Sequence, residues 1–398
     1  MEIRIGSFNL YKFASDDKWV NKDLDRIAEI IQIARFDVLA IQEIFDKEAM
    51  DLLLMRIKHR IPGEWRGCWD KPKVGNVSRK RYAELTEEEK KKYKPAEEGY
   101  AFIWNAKIVD LVKVKLKDGR ERVFKPRILN QYSKYQYTLI GRPEKRYRQE
   151  LVRNPYYIRL APVDSNGYPR LFELRLINTH IAFGKGRNMD DADMKLVQLR
   201  KQEFDMLATR ILPTISDKPY GADRASEIDH KPSLPSYSIL LGDYNLDLKE
   251  NGNTSPYAPE IIYMDSAGET QKYKTLFEYY HNIMSNNGMM QGRFREITTM
   301  QKSKTSLIKP ISNRLKEKNP ENYQIIMDEL HESKGYYSNN YDHFTIDKRK
   351  FEGVTVVSER IDTVSEHPYD GDYEQYLKDV SDHVPVLLRL QIGDRHGE

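Results

Sequence analysis

The chain has a single cysteine, Cys68, among 398 residues, so no disulfide can form within it. A fold of this kind does not depend on an oxidising compartment. No apolar run approaches the roughly 20 residues that a helix needs to cross a bilayer. No basic-then-apolar leader precedes the first strand-like segment, Ile3–Leu10, so a cytoplasmic location is the expectation. No repeat of fixed period is present, which excludes solenoid and propeller arrays. Charge of one sign is not in large excess either: the net charge is +4, and that alone implies no polyanionic partner.

What is present suits a large globular unit. Hydrophobic residues make up 39% and charged residues 32%, enough for a core beneath a strongly charged surface. A two-sheet sandwich can hold this length as one domain, 1–398. The charge is unevenly spread. From Lys113 to Arg153 basic residues outnumber acidic ones, and Tyr132, Tyr135, Tyr137 and Tyr147 lie among them. Basic side chains interleaved with aromatics suit a polyanion, although a solvated insert would have the same composition.

Periodicity predicts an α/β order. Ile3–Asn9 reads as a strand, Lys22–Arg35 as an amphipathic helix, Asp37–Gln42 as a second strand and Lys47–Lys58 as a second helix. Gly99–Asn105, Tyr156–Pro162, Leu171–His180, Tyr237–Leu241, Tyr341–Asp347, Val354–Val357 and Val384–Leu390 read as further strands, and Met189–Leu212 as a long helix. Between them lie expected insertions near 79–97, 115–150, 210–235 and 250–338.

Polar residues stand at the ends of these apolar runs. Asn9 ends the first strand and Glu43 the second. His180 ends Leu-Ile-Asn-Thr-His, and Asp243 and Asn245 follow Ser-Ile-Leu-Leu. Asp382 and His383 precede the last strand. Each has an ordinary use on its own: Asn9 and Asp243 in turns, Glu43 beside a helix cap, His180 as a hydrogen-bonded structural residue. Taken together they supply what phosphodiester hydrolysis needs. Carboxylate and amide oxygens suit Mg²⁺, histidines carry protons near neutral pH, and further donors neutralise charge building on phosphorus oxygens. Strand ends also fix side chains while leaving them accessible.

The ordered set Ser-Phe-Asn9, Ile-Gln-Glu43, Asn-Thr-His180, Leu-Gly-Asp243-Tyr-Asn245 and Ser-Asp382-His383 resembles the endonuclease/exonuclease/phosphatase superfamily. The resemblance spans residues 3 to about 391, with the insertions between motifs. It implies a four-layer α/β sandwich: two facing, mostly antiparallel sheets with helices outside and the site at one edge. Glu98-Gly-Tyr-Ala-Phe, Arg153-Asn-Pro and Tyr341-Asp342-His-Phe resemble elements of the deoxyribonuclease I branch. That branch implies that Glu98 orients His180, Asp342 orients His383 and Arg153 faces the phosphate. Glu43, Asn9 and Asp382 would hold Mg²⁺, with Mn²⁺ or Ca²⁺ as substitutes or helpers. His383 would deprotonate water, while Asp243, Asn245 and His180 would position the water and phosphate.

The implied activity is a metal-dependent nuclease acting on DNA, endonucleolytic, leaving a 5′-phosphate and a 3′-hydroxyl. Phe45 and Ala96 stand where that branch has groove-contacting arginine and tyrosine. The mode of engaging DNA therefore differs, and the basic 113–153 stretch is the expected replacement. The alternatives are a lipid-headgroup phosphodiesterase or phosphatase of the sphingomyelinase or inositol-phosphatase kind, and a non-catalytic nucleic-acid-binding module. Asp247, where inositol phosphatases have arginine, and His343, in place of the arginine of their Cys-Asp-Arg element, count against the inositol reading. The intact metal, base and phosphate positions count against the binding module. Oligomeric state is not legible in the sequence.

Overall fold

A computed structural model describes residues 1–15, 22–72, 86, 98–115, 120–130, 134–139, 142–164, 171–181, 200, 203–204, 206–222, 234–246, 261–264, 270–273, 297–300, 303–307, 321, 324–325, 328 and 336–393. Of these, 115, 134–139, 142–150, 209, 261–264, 270–273 and 297–298 are described by backbone path alone.

Two sheets face each other. The first has six strands in the order β18-β19-β1-β2-β4-β3. They are β18 (Val354–Arg360), β19 (Val386–Ile392), β1 (Glu2–Phe13), β2 (Val38–Ile44), β4 (Gly99–Asn105) and β3 (Trp65–Asp70). The second has seven, in the order β16-β17-β13-β12-β11-β5, with β8 also pairing with β11. These are β16 (Ile297–Thr299), β17 (Asp342–Asp347), β13 (Ser236–Asp243), β12 (Glu173–His180), β11 (Tyr156–Pro162), β5 (Val109–Leu111) and β8 (Arg127–Ile128). In each sheet one central junction is parallel, β1 with β2 and β12 with β13, and the other junctions are antiparallel. Three further two-stranded ribbons stand apart: β6 (Lys113–Lys115) with β7 (Glu121–Val123), β9 (Lys134–Leu139) with β10 (Arg142–Glu150), and β14 (Ile261–Met264) with β15 (Thr270–Tyr273).

The space between the sheets is apolar. Ile5, Val38, Phe102 and Leu388 from the first sheet meet Ile158, Leu176, Ile239 and Phe344 from the second, all fully buried. Each such side chain contributes about 1.5–3 kcal/mol by leaving water. The outer face of the first sheet is covered by α1 (Leu24–Ala34) and α2 (Lys47–Arg60). Ile27, Ile30, Ile31 and Ala34 recur on one side of α1 and are buried there. Asp23 caps α1 by accepting from the backbone of Asp25 and Arg26, and Asp46 caps α2 by accepting from Ala49. The outer face of the second sheet is covered by a π turn (Leu207–Ile211) running into α3 (Leu212–Ser216), with Ile211, Leu212 and Ile215 buried against Ile177 and Leu240. The expected four-layer sandwich is what the chain forms.

Several boundaries differ from the sequence reading. Helix α1 starts after its Asp23 cap, which leaves Lys22 outside it. Strand β1 continues to Phe13, because Tyr11 and Lys12 adopt left-handed conformations that bulge the strand before it rejoins β2 at Ile44. Of the helix expected over Met189–Leu212, residues 189–199, 201–202 and 205 lie outside the described residues; its described end passes through the π turn into α3 to Ser216, so the start of the expected 210–235 insertion belongs to the helical layer. Ile297–Thr299 and Thr305–Leu307, inside the expected 250–338 insertion, join the second sheet's edge and the loop before β19. Residues 87–97 and the side chains of Tyr132, Tyr135, Tyr137 and Tyr147 lie outside the described residues. No helix among the described residues is long and apolar enough to cross a membrane.

Candidate active site

The parallel junctions set the position of the site. Two parallel strands end at the same edge, and their antiparallel neighbours begin there. In the first sheet β1 and β2 bring Asn9 and Glu43 to that edge, while Asp382–His383 and Glu98 stand just before β19 and β4. In the second sheet β12 and β13 bring His180 and Asp243, paired in register, while Asp342 opens β17 and Arg153 precedes β11. A topology repeated in both sheets thus gathers eight separate chain positions.

The contacts that matter run from sheet to sheet. His180 Nδ1 lies 2.9 Å from Glu98 Oε1, and His383 Nδ1 lies 2.6 Å from Asp342 Oδ2. With Nδ1 turned to an acid, each ring presents Nε2 to the cleft. There one oxygen, Asp243 Oδ2, stands 3.6 Å from His180 Nε2 and 3.7 Å from His383 Nε2. Asn9 Nδ2 donates to that same oxygen at 2.9 Å and to Glu43 Oε1 at 3.1 Å. Asn245 Nδ2 donates to the Ile181 carbonyl at 2.7 Å and lies 3.1 Å from His180 Nε2. The Ile181 contact fixes which way that amide faces.

Burial and ion pairing compete in setting the charges. For His383, burial favours the neutral ring, but Asp342 and Asp243 outweigh it and hold the pKa well above the ordinary histidine value. For His180, burial again favours the neutral ring, and Glu98 outweighs it to raise the pKa against the opposing charge of Arg153. Burial pushes Glu98 upward, yet His180 and Arg153 hold it below the ordinary carboxylate value. Asp243 is raised by burial, with His383 and His180 opposing.

The backbone here is unusual. Among the described residues seven non-glycine positions have positive φ, and four of them, Tyr11, Lys12, Glu43 and Asn245, stand at the cleft. Such conformations persist where the surroundings over-determine them. For Glu43 the surroundings are visible: Oε2 accepts from Lys12 N–H at 3.1 Å while Oε1 accepts from Asn9. Asn245 N–H donates to Asp243 Oδ1 at 2.8 Å. Gly242, at φ +135, passes so close to β12 that a Cβ would lie 1.9 Å from the Thr179 carbonyl oxygen. The tyrosine of Gly-Asp-Tyr-Asn anchors the turn by donating from its buried hydroxyl to the Leu240 carbonyl.

The expected site residues therefore converge, but two are placed differently from expectation. Arg153 was expected to face the phosphate. Its Nε lies 2.6 Å from Glu98 Oε1 and its Nη1 donates to the His180 carbonyl, so it braces the Glu98–His180 pair. Asn9 was expected to offer an oxygen to the metal. Its Oδ1 instead accepts from Tyr11 N–H, and its amide nitrogen clamps two carboxylates that need a donor. Asp382 is buried at the rim, with Oδ1 4.0 Å from His383 Nε2.

Other supporting residues were given no role by the sequence, although Gln42, Tyr100, Asn178 and Ser381 stand inside the quoted motifs. Tyr100 Oη accepts from His180 N–H at 3.0 Å. Ser381 donates to the Asn9 carbonyl, Thr305 accepts from Asp342 N–H, and Tyr376 donates to the His383 carbonyl. Gln42 and Asn178 join the sheets beneath the site. Lys22 looks in sequence like the first residue of a helix, yet it is buried beside Glu43 and Asp382, and burial brings its pKa down to about 8 against the pull of those acids.

Among the described residues two groups of side chains have the spacing to hold a metal ion: Glu43, Glu98 and His180, and Asp243, Asp342 and His383. Glu98 and Asp342 are committed to imidazoles, which leaves Glu43 and Asp243 of these groups, with Asp382 at the rim, as oxygen donors. Hard carboxylate oxygens fit an oxygen-preferring divalent ion.

No protein-family model matches the chain. No curated protein matches it either. Solved structures of similar fold include an endonuclease/exonuclease/phosphatase family protein from Bacteroides thetaiotaomicron, at 13% identity and TM-score 0.40, covering 99% of this chain and 98% of that one. They also include D. rerio TDP2 complexed with a single-strand DNA product, at 13% identity and TM-score 0.42 over 98% and 99% of the two chains. A third is a Bacteroides thetaiotaomicron mannosyl-6-phosphatase, at 13% identity and TM-score 0.36 over 98% and 100%.

Proposed function

We propose that the chain is a divalent-metal-dependent nuclease that hydrolyses phosphodiester bonds of DNA, with Mg²⁺ as the working ion. One observation carries the reading: two imidazoles, each backed at Nδ1 by an acid from the opposite sheet, turn their Nε2 atoms to a single carboxylate oxygen of Asp243. A bound divalent ion would hold and polarise a phosphoryl oxygen beside Glu43 and Asp382. His383, oriented by Asp342, takes a proton from water at Nε2. Asp243, between the two rings, fixes that water for in-line attack. Asn245 donates to a phosphoryl oxygen through its amide. His180, charged through Glu98, donates from Nε2 to the departing oxygen. Attack on phosphorus with loss of the 3′-oxygen leaves a 5′-phosphate and a 3′-hydroxyl.

DNA as substrate follows from the deoxyribonuclease I-like elements around Glu98, Arg153 and Asp342, together with the basic stretch from Lys113 to Arg153. Phosphate contacts from such a stretch grip the backbone without reading bases. Plasmid nicking with Mg²⁺, with EDTA and with Mg²⁺ restored, followed by end-labelling of the products, tests the reading. Nicks with 5′-phosphate ends that vanish in EDTA are expected. An untouched plasmid alongside release of inorganic phosphate or phosphocholine from small substrates would replace the nuclease with a phosphatase or lipid phosphodiesterase.

A further inference from the structure

Lys22 has no part in the chemistry above, yet it lies against the cleft. It is 8% exposed, and its Nζ is buried with no hydrogen-bond acceptor among the described residues. Its backbone is fixed, because the next residue, Asp23, donates its N–H to the Asp379 carbonyl at 2.8 Å and caps α1. The ammonium lies 5.5 Å from the centre of the Tyr11 ring, on the bulge of β1. The carboxylates whose charge reaches it are Asp382, Glu43 and Asp379. Two of these three are the acids assigned to the metal. Burying an ammonium without an acceptor is unfavourable, and only neighbouring negative charge offsets it. The ordinary role of a lysine just before a helix, a solvated surface charge, does not apply to a side chain this deep.

We infer that Lys22 is a resident cation of the metal pocket. Its ammonium balances Glu43 and Asp382 when the divalent ion is out. When the ion enters, the same charge remains as a like-charged neighbour and weakens the ion's hold. Lys22 is a positioning residue that sets metal affinity through Glu43 and Asp382, and this role rests on the metal-dependent reading proposed above.

The test uses Mn²⁺ alone as the probe. Free Mn²⁺ is read by electron paramagnetic resonance at pH 7 with the full chain, its K22M and K22R variants, and E43Q as the control that removes an oxygen donor. K22M is expected to bind Mn²⁺ about ten-fold more tightly, because a unit charge beside a divalent ion is gone. K22R, which keeps the charge, should stay within about three-fold of the parent. The Mn²⁺-induced rise in Tm should be larger in K22M than in the parent. If K22M does not fold, K22Q, which also lacks the charge, replaces it with the same expectation. An unchanged or weaker Kd in the folded neutral variant, beside a parent that binds Mn²⁺ in a Glu43-dependent way, would overturn this role and leave the metal-dependent reading standing. A parent that shows no Glu43-dependent Mn²⁺ binding would remove both.

Discussion

The two sheets bring matching strand ends to one cleft but hold them with different firmness. On the second sheet His180, Asp243, Asn245 and Asp342 are all buried, and each is tied to a neighbour: His180 to Tyr100, Asp243 to Asn245 N–H, Asn245 to the Ile181 carbonyl and Asp342 to Thr305. On the first sheet Asn9, Glu98, Asp382 and His383 are buried as well, but Glu43 is only partly buried and leans on a bulge two residues deep in β1. The contrast separates two demands. Proton carriers need fixed geometry within fractions of an ångström, while a site that admits a hydrated ion needs an open wall. His383 joins the two halves: it comes from the first sheet's edge and is oriented by the second sheet's Asp342.

Cutting that joint should have the largest effect. His383→Ala removes the ring to which the proposed mechanism gives water activation, and a loss of about 10³–10⁵ in kcat is expected. Circular dichroism should stay near the parent's, while Tm falls, because buried Asp342 loses its imidazole partner. Turnover near the parent's level, in protein freed of host nuclease, would show that the joint is ornamental.

Next comes the open wall. Glu43→Gln keeps size and hydrogen bonding but removes the charge that an ion needs. A fall of about 10²–10³ in kcat/KM is expected, partly recovered at high Mg²⁺. The corresponding change on the firm side, Asp243→Asn, should resist such rescue. Metal titrations of both variants therefore measure the division directly, and equal rescue of the two would erase it.

Asp342→Asn is expected to cost about 10–100-fold at neutral pH and to move the pH profile. Asp342 raises the His383 pKa, so the parent's activity should climb with pH through a region above the ordinary histidine range. Without the acid, that limb should move to lower pH. The stability linkage has the opposite slope. A histidine whose folded pKa is raised contributes stability that is complete below the unfolded value of about 6.5 and is lost as pH rises through the folded value. Urea melts in EDTA should show the parent's advantage over Asp342→Asn shrinking across that window. A constant difference would mean that the pair is not ionic.

Much of this was legible in the sequence, for physical reasons. Strands such as Gly99–Asn105 and Tyr237–Leu241 are buried on both faces and read as short apolar runs. Amphipathic α1 announced itself by spacing. The motif residues sat at the ends of those runs. What was not legible depends on distance along the chain. Thr305 supports Asp342 from inside a polar stretch with no period, and Lys22 is buried where α4 (Tyr373–Asp379) brings the Asp379 carbonyl against the start of α1. The reversal at Asn9 was also hidden, since an amide can offer oxygen or nitrogen and only the neighbouring Tyr11 N–H decides between them.

The smallest effect probes how the firm half is held. Tyr100, fully buried on β4 of the first sheet, accepts from His180 N–H through its hydroxyl. Tyr100→Phe keeps the ring in the inter-sheet core and deletes one acceptor, leaving a buried backbone donor unpaired. That should cost about 1–3 kcal/mol of stability. Activity should fall only a few-fold, about 2–5 times, because His180 keeps Glu98 at Nδ1. A loss as large as that of Asp342→Asn would mean that His180 is positioned through its backbone rather than its ring. Stability unchanged in urea would mean that another acceptor reaches His180 N–H once the hydroxyl is gone, and the firm half would then owe its rigidity to β12 itself.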